Sequence, residues 1–214
     1  MKYTKVPTDI WQTLQINAGV VAKGFDATTG TVSNIFAATT GGLSFSTNPT
    51  VVDFGEDVDN IPPNTYQAKR ITYFDPTASG TFVTMSAALA KSMIGSAKYA
   101  TSGNTEDTTH IVPTHTLDSS AFDDFWVIGD YSDKNGATNG GYVAVHIKHA
   151  FNTPGFQWTT GKDAKGQFAF EYHGHYDLNN IDDVPFEIYV KAGTDESTTP
   201  TTPTTPTTPT TPTT

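Results

Sequence analysis

The chain has 214 residues, 36% of them hydrophobic, 12% aromatic and only 16% charged, with a formal net charge of −10. It contains no cysteine, which excludes disulfides, thiolate metal sites and a cysteine nucleophile. Arg70 is the single arginine, and the acidic balance argues against conventional DNA or RNA binding, which needs basic patches to neutralise phosphates.

Residues 1–194 are long enough for one domain with a substantial core. Met1 to Gln12 lacks the apolar run of a signal peptide, and no stretch approaches the roughly 20 apolar residues of a membrane span. A soluble protein made in a cytoplasm is expected, with no membrane partner. Ile10 to Ala22 reads as a first strand and Lys23 to Ser33 as a Gly/Thr-rich turn. Leu43 to Phe54 contains two strand-like pieces, LSFS and TVVDF. Gly55 to Gln67, with its acids and Pro62-Pro63, reads as an irregular excursion, because Pro donates no ladder hydrogen bond. Lys69 to Asp75 and Thr81 to Met85 read as a hairpin turning at Pro76 to Gly80. One helix is expected over Ala87 to Ile94, capped by Ser86 and stopped by Gly95, with Leu89 and Met93 on its apolar stripe. Lys98 to Leu117 reads as a polar connection holding at most a short strand.

The second half alternates more clearly. Asp124 to Ser132 and Gly141 to Ala150 are strands joined by a Gly/Asn turn, followed by Gln167 to Asp177 and Pro185 to Lys191. Phe168, Phe170, Tyr172, Gly174 and Tyr176 share one face, opposite Ala169, Glu171, His173, His175 and Asp177. Val143, Val145 and Ile147 oppose His146 and Lys148, while Phe186, Ile188 and Val190 oppose Glu187 and Lys191. Each strand so read has one buried and one wet face. The fold class expected is mainly β: a β-sandwich or rolled antiparallel sheet with one flanking α-helix.

Chemistry-bearing patterns are sparse. Glu171, His173 and His175 fall on one strand face, as a metal site needs, but the plainer reading is a hydrated polar face. Asp123-Asp124, Asp182-Asp183 and the group Glu56, Asp57 and Asp59 are paired acids of the kind glycosidases use; acids in turns are more often solvated or capping. Gly41-Gly42 and Gly140-Gly141 read as turns. Trp11, Trp126 and Trp158 suit core packing or subunit contact better than a sugar platform. No phosphate-binding loop, nucleophile elbow or zinc-protease motif is present. No enzyme, cofactor or metal is expected.

The chain closes on a Thr-Thr-Pro repeat, Thr198 to Thr214. It has no apolar residue larger than Pro to bury, so residues 195–214 are expected to form a disordered, extended arm outside the folded domain.

The opening run Val6-Pro7-Thr8-Asp9-Ile10-Trp11-Gln12 leads into Leu14 to Val20, and the closing run is Val184-Pro185-Phe186-Glu187-Ile188-Tyr189-Val190-Lys191-Ala192-Gly193. Gly41-Gly42-Leu43-Ser44-Phe45 precedes the long excursion, and Phe82-Val83-Thr84-Met85 leads into the helix. In this order, over residues 1–194, the motifs resemble those of the major tail proteins, or tail tube proteins, of long-tailed bacteriophages with non-contractile tails, closest to those infecting Gram-positive hosts. The resemblance implies a virion protein, assembled in the host cytoplasm, that forms hexameric rings. The rings stack into a hollow tail through which DNA is ejected. It implies as partners other copies of the chain, a tape measure protein in the lumen, and tail-tip, baseplate and terminator proteins. DNA would pass transiently and without specificity. It brings no active site.

Under that resemblance the wet strand faces become the lumen wall, acidic and poor in Lys and Arg, so that DNA slides rather than sticks. Gly41 to Gln67, with Asp53, Glu56, Asp57, Asp59, Pro62 and Pro63, is expected to reach a neighbouring subunit or ring and to order on assembly; otherwise it is a plain surface loop. The Thr/Pro arm is expected on the tube exterior. The alternative function is a non-enzymatic carbohydrate- or surface-binding β-sandwich module on a Thr/Pro linker.

Overall fold

The computed structural model describes residues 19–130 and 141–191. Residues 10–18 of the expected first strand, the Gly/Asn turn up to residue 140 and the Thr/Pro arm lie outside the described residues.

Ten strands, β1 (Val20–Asp26), β2 (Thr31–Ala37), β3 (Thr39–Asp53), β4 (Lys69–Phe82), β5 (Ala97–Tyr99), β6 (Ile111–Pro113), β7 (Asp123–Asp130), β8 (Tyr142–Asn152), β9 (Phe168–His173) and β10 (Phe186–Lys191), accompany one helix, α1 (Ala87–Ile94). All described pairings are antiparallel. Sheet I runs β2-β1-β7-β8-β10, and sheet II runs β9-β4-β3. The end of β8, Phe151 and Asn152, crosses over to pair with β9 and joins the two layers. β5 and β6 form a separate small ribbon.

The core is aromatic. Phe36 and Phe125 of sheet I meet Phe82, Phe170 and Tyr172 of sheet II, with Leu89 and Met93 of α1 in the same cluster. Phe82 stacks on Phe170 at 4.1 Å and Phe125 on Tyr172 at 4.4 Å between ring centroids. The expected sandwich with one flanking helix is therefore what forms.

The helix is held as its sequence dictates. The Ser86 Oγ accepts from the Leu89 N–H at 3.1 Å, and Gly95, at φ 85°, ends the last turn. Ser92 is the addition. It is buried on the apolar stripe, where its hydroxyl bridges the Asp123 carboxylate and, at 2.7 Å, the Tyr172 hydroxyl. Asp123 in turn pairs with Lys23 at 2.5 Å. Burial first and foremost raises the Tyr172 hydroxyl pKa, so it stays protonated. Asn152, also buried, donates to the carbonyls of Met93 and Gly155 and accepts from the Glu171 N–H, tying helix, loop and sheet together.

Several local expectations are corrected. The expected turn Lys23 to Ser33 shrinks to Ala27–Gly30, because β1 continues to Asp26, whose carboxylate accepts from the Thr28 and Thr29 N–H groups to begin the turn. LSFS and TVVDF are parts of one strand, β3, and Gly41-Gly42 is not a turn. Both glycines have positive φ (77° and 85°) and form a bulge within β3, where the register against β4 shifts. Pro76 to Gly80 is not a hairpin turn either; β4 runs straight through it and pairs with β3. Ala78 and Gly80 are small because the core lies against them. A Cβ on Gly80 would come within 2.8 Å of Leu43 and 2.9 Å of Phe170. Pro76 falls one residue past the β4–β9 ladder, where its missing N–H leaves no β9 carbonyl without a donor.

Candidate assembly surfaces

β3 and β4 form the longest feature of the molecule. β9 pairs only with Thr77–Phe82 of β4, so Lys69–Asp75 and its β3 partners leave the body as a two-stranded ribbon. At about 3.3 Å per residue, those residues carry the ribbon on the order of 20 Å outward. The root is clamped. Gly174 N–H donates to the Pro76 carbonyl at 3.0 Å, and the Tyr176 hydroxyl accepts from the Phe74 N–H at 2.9 Å. His173 sits between two carboxylates, Nδ1 to Asp75 at 3.0 Å and Nε2 to Glu171 at 2.9 Å. Burial lowers its pKa, but the hydrogen bonds and charges of Asp75 and Glu171 outweigh that and raise it above the ordinary histidine value.

Phe54–Ala68 at the tip is a chain of turns closed by its own hydrogen bonds. Asp53 accepts from the Gly55 N–H at 2.9 Å, Phe54 N–H donates to Ala68 at 3.0 Å, and a 3-10 turn spans Tyr66–Ala68. Asn60 and Asn64 take the left-handed turn positions at φ 67°. The excursion is thus as irregular as expected, and turn hydrogen bonds within the single chain shape it. All six expected site residues belong to it or its rim: Asp53 is half-buried at the base, while Glu56, Asp57, Asp59, Pro62 and Pro63 are exposed. Glu56, Asp57 and Asp59 make no ion pair among the described residues.

Sequence reasoning found these acids and missed the apolar groups around them. Phe54 is 63% exposed and Tyr66 78%, with Val51, Val58, Ile61, Ile71 and Tyr73 also open to solvent. The signal was present: β-branched and aromatic residues sit where a solvated loop has no use for them.

A second open surface lies at β10. Among the described residues it pairs only with β8, and none of them pairs with its outer edge. Ile188 and Val190 were expected on a buried face, and this is corrected: they are 52% and 66% exposed. Their register does aim them to the core side, opposite Val145 and Val143. Only Phe186 is covered, by Phe45 and Phe74. The other side of β10 is not simply wet. Tyr189 packs on Trp126 in a second cluster with Ala22, Ile128, Tyr142 and Ala144. Lys148 anchors the strand through Glu187 at 2.6 Å and Asp183 at 2.9 Å.

The outer face of sheet II is a third surface. The register places Ser44, Ser46 and Asn48 beside Ser79, Thr77 and Asp75, and then beside Glu171 and His173. Hydroxyls, an amide and carboxylates fill this stretch, and the bases of sheet II, Lys69 and Arg70, stand further along β4 on the ribbon.

The remaining sequence candidates separate in space. β9 ends at His173, so His175 leaves its face and bonds the His149 carbonyl, its ring against Phe122 and Phe151. No three His, Cys, Asp or Glu side chains are grouped to hold a metal among the described residues. Asp123 turns inward to Lys23 and Ser92, whereas Asp124 meets His146 at 3.1 Å on the outside. Trp126 is buried, Trp158 is 64% exposed, and Trp11 lies outside the described residues. No helix among the described residues is long and apolar enough to cross a membrane.

Comparison with protein families gives no match, and neither does comparison with curated proteins. Among solved structures, a chain from the virion of a native gene transfer agent particle is similar at 10% identity and a TM-score of 0.39, covering 82% of this chain and 96% of that one.

Proposed function

We propose that this chain is a structural virion protein, a tail tube subunit that assembles into stacked hexameric rings forming a hollow tail for DNA ejection. The ring number and the partners follow from the sequence resemblance: a tape measure protein within, tail-tip or baseplate and terminator proteins at the ends. The chain acts as a scaffold and not as an enzyme, assembling in the host cytoplasm and residing in the virion.

The observation that carries this reading is the β3–β4 ribbon with its solvent-facing Phe54, Val58, Ile61 and Tyr66. Each such side chain contributes about 1.5–3 kcal/mol when fully buried, which a monomer forgoes. A finger built in this way is suited to enter a neighbour. The outer β10 edge, unpaired among the described residues, supports lateral closure, because a ring joins one strand edge to a different surface of the next copy. The stretch of sheet II from Asp75 to Ser79, with Ser44, Ser46, Asn48 and Glu171 beside it, suits the lumen: it offers hydrogen bonds and carboxylates but no lysine or arginine to hold a phosphate.

Negative-stain electron microscopy of the purified chain over a range of concentrations tests the proposal. Rings or hollow tubes are expected. A monomer at every concentration that binds a sugar specifically would overturn it in favour of the binding-module reading.

A further inference from the structure

The two ends of sheet II differ in charge. The ribbon tip carries four acids, Asp53, Glu56, Asp57 and Asp59, around exposed Phe54 and Val58, against two bases at its foot, Lys69 and Arg70, so its balance is acidic. The 153–167 loop joins β8 to β9 at the other end, because Phe168 pairs with Phe82 while the ribbon leaves from Lys69. That loop carries Lys162 and Lys165 against a single acid, Asp163, and all three are exposed. Its aromatics are exposed too: Phe156 is 42% and Trp158 64% open, both resting on Phe168 at about 6 Å. The loop is held in shape, since Thr159 and Gln167 exchange two backbone hydrogen bonds of 2.9 Å, so Trp158 and the lysines are presented and not trailing.

We infer that the 153–167 loop is the receptor for the ribbon tip of a second copy of this chain. An acidic, apolar finger at one pole and a basic, aromatic loop at the opposite pole are complementary in both terms. They cannot meet within one molecule, because the length of β4 lies between them. The contact is heterologous, pole to opposite pole, and so repeats without closing, which is the geometry of stacking. Lys162 and Lys165 face Glu56 and Asp57, and Trp158 covers Phe54 or Val58. The ionic part is exposed and therefore salt-sensitive. This inference rests on the stacking reading above and specifies which surface receives the finger.

Charge reversal in both directions tests it in the full chain, with assembly followed by light scattering and electron microscopy at low salt. Lys162→Glu with Lys165→Glu, and separately Glu56→Lys with Asp57→Lys, are each expected to raise the concentration needed for tubes about tenfold or more. All four substitutions in one chain are expected to restore it. Because all four positions are exposed, thermal melts should match the parent and exclude misfolding. Trp158→Ala is expected to weaken assembly at every salt concentration. Tubes from Lys162→Glu/Lys165→Glu at the parent concentration, or no restoration in a folded four-fold variant, overturn the receptor while leaving the tube reading standing. Failure of the parent chain itself to assemble overturns both.

Discussion

Phe125 and Phe54 both belong to strand-derived segments of one sandwich, yet the first is wholly buried and the second mostly in solvent. Phe125 has Phe36, Phe170 and Tyr172 within stacking distance, and Phe54 has only its own ribbon. The difference separates two tasks. Apolar residues in the body hold one chain together, whereas under the proposed function those of the ribbon serve another chain. Substitutions in the two regions should therefore fail in different assays.

The largest effect is expected in the core. Phe125→Ala should cost about 3–5 kcal/mol of monomer stability in denaturant titration, and assembly should fall with it. Ser92→Ala should cost about 1–3 kcal/mol, because the buried Tyr172 hydroxyl and the half-buried Asp123 carboxylate lose their shared partner. Ser86→Ala removes the helix cap and should cost about 1 kcal/mol. Paired Phe54→Ser and Val58→Ser at the tip should change monomer stability by no more than about 0.5 kcal/mol and yet abolish tubes in electron micrographs. A melt lowered as far as that of Phe125→Ala would show the tip to be core, and the comparison would collapse.

The smallest effect concerns pH. His173 gains two carboxylate partners on folding, so its folded pKa lies above its unfolded one. The stability it adds is fully present below the unfolded value of about 6.5 and is lost as pH rises through the folded value. The melting difference between the parent and His173→Gln should be greatest at mildly acidic pH and shrink towards alkaline pH. A difference that is flat with pH would remove the histidine from the ribbon root.

Features set by neighbours in sequence were legible without the structure. Ser86, Leu89, Met93 and Gly95 specify the helix within one stretch, and the alternation Phe168, Phe170, Tyr172 specifies a half-buried strand. Features set by distant contacts were not. Pro76 to Gly80 has the composition of a turn, but its Gly80 answers to Leu43 and Phe170 on the strands to either side. Ser92 and Asn152 carry no local mark of burial, because their partners come from other strands. At the ribbon, the acids stood out by charge, while the apolar residues beside them passed as ordinary strand residues. Ile188 and Val190 show the converse limit: alternation gives the side of the sheet a residue points to, but not whether anything lies opposite.

The ribbon leaves the sandwich at one end only. A column made by repeating such a unit has an arrow: one terminus displays empty fingers, and the other displays empty receptors. The two termini are different chemical objects, so no single cap can fit both. Elongation can then start from a template that matches one of them and be halted by a protein shaped for the other.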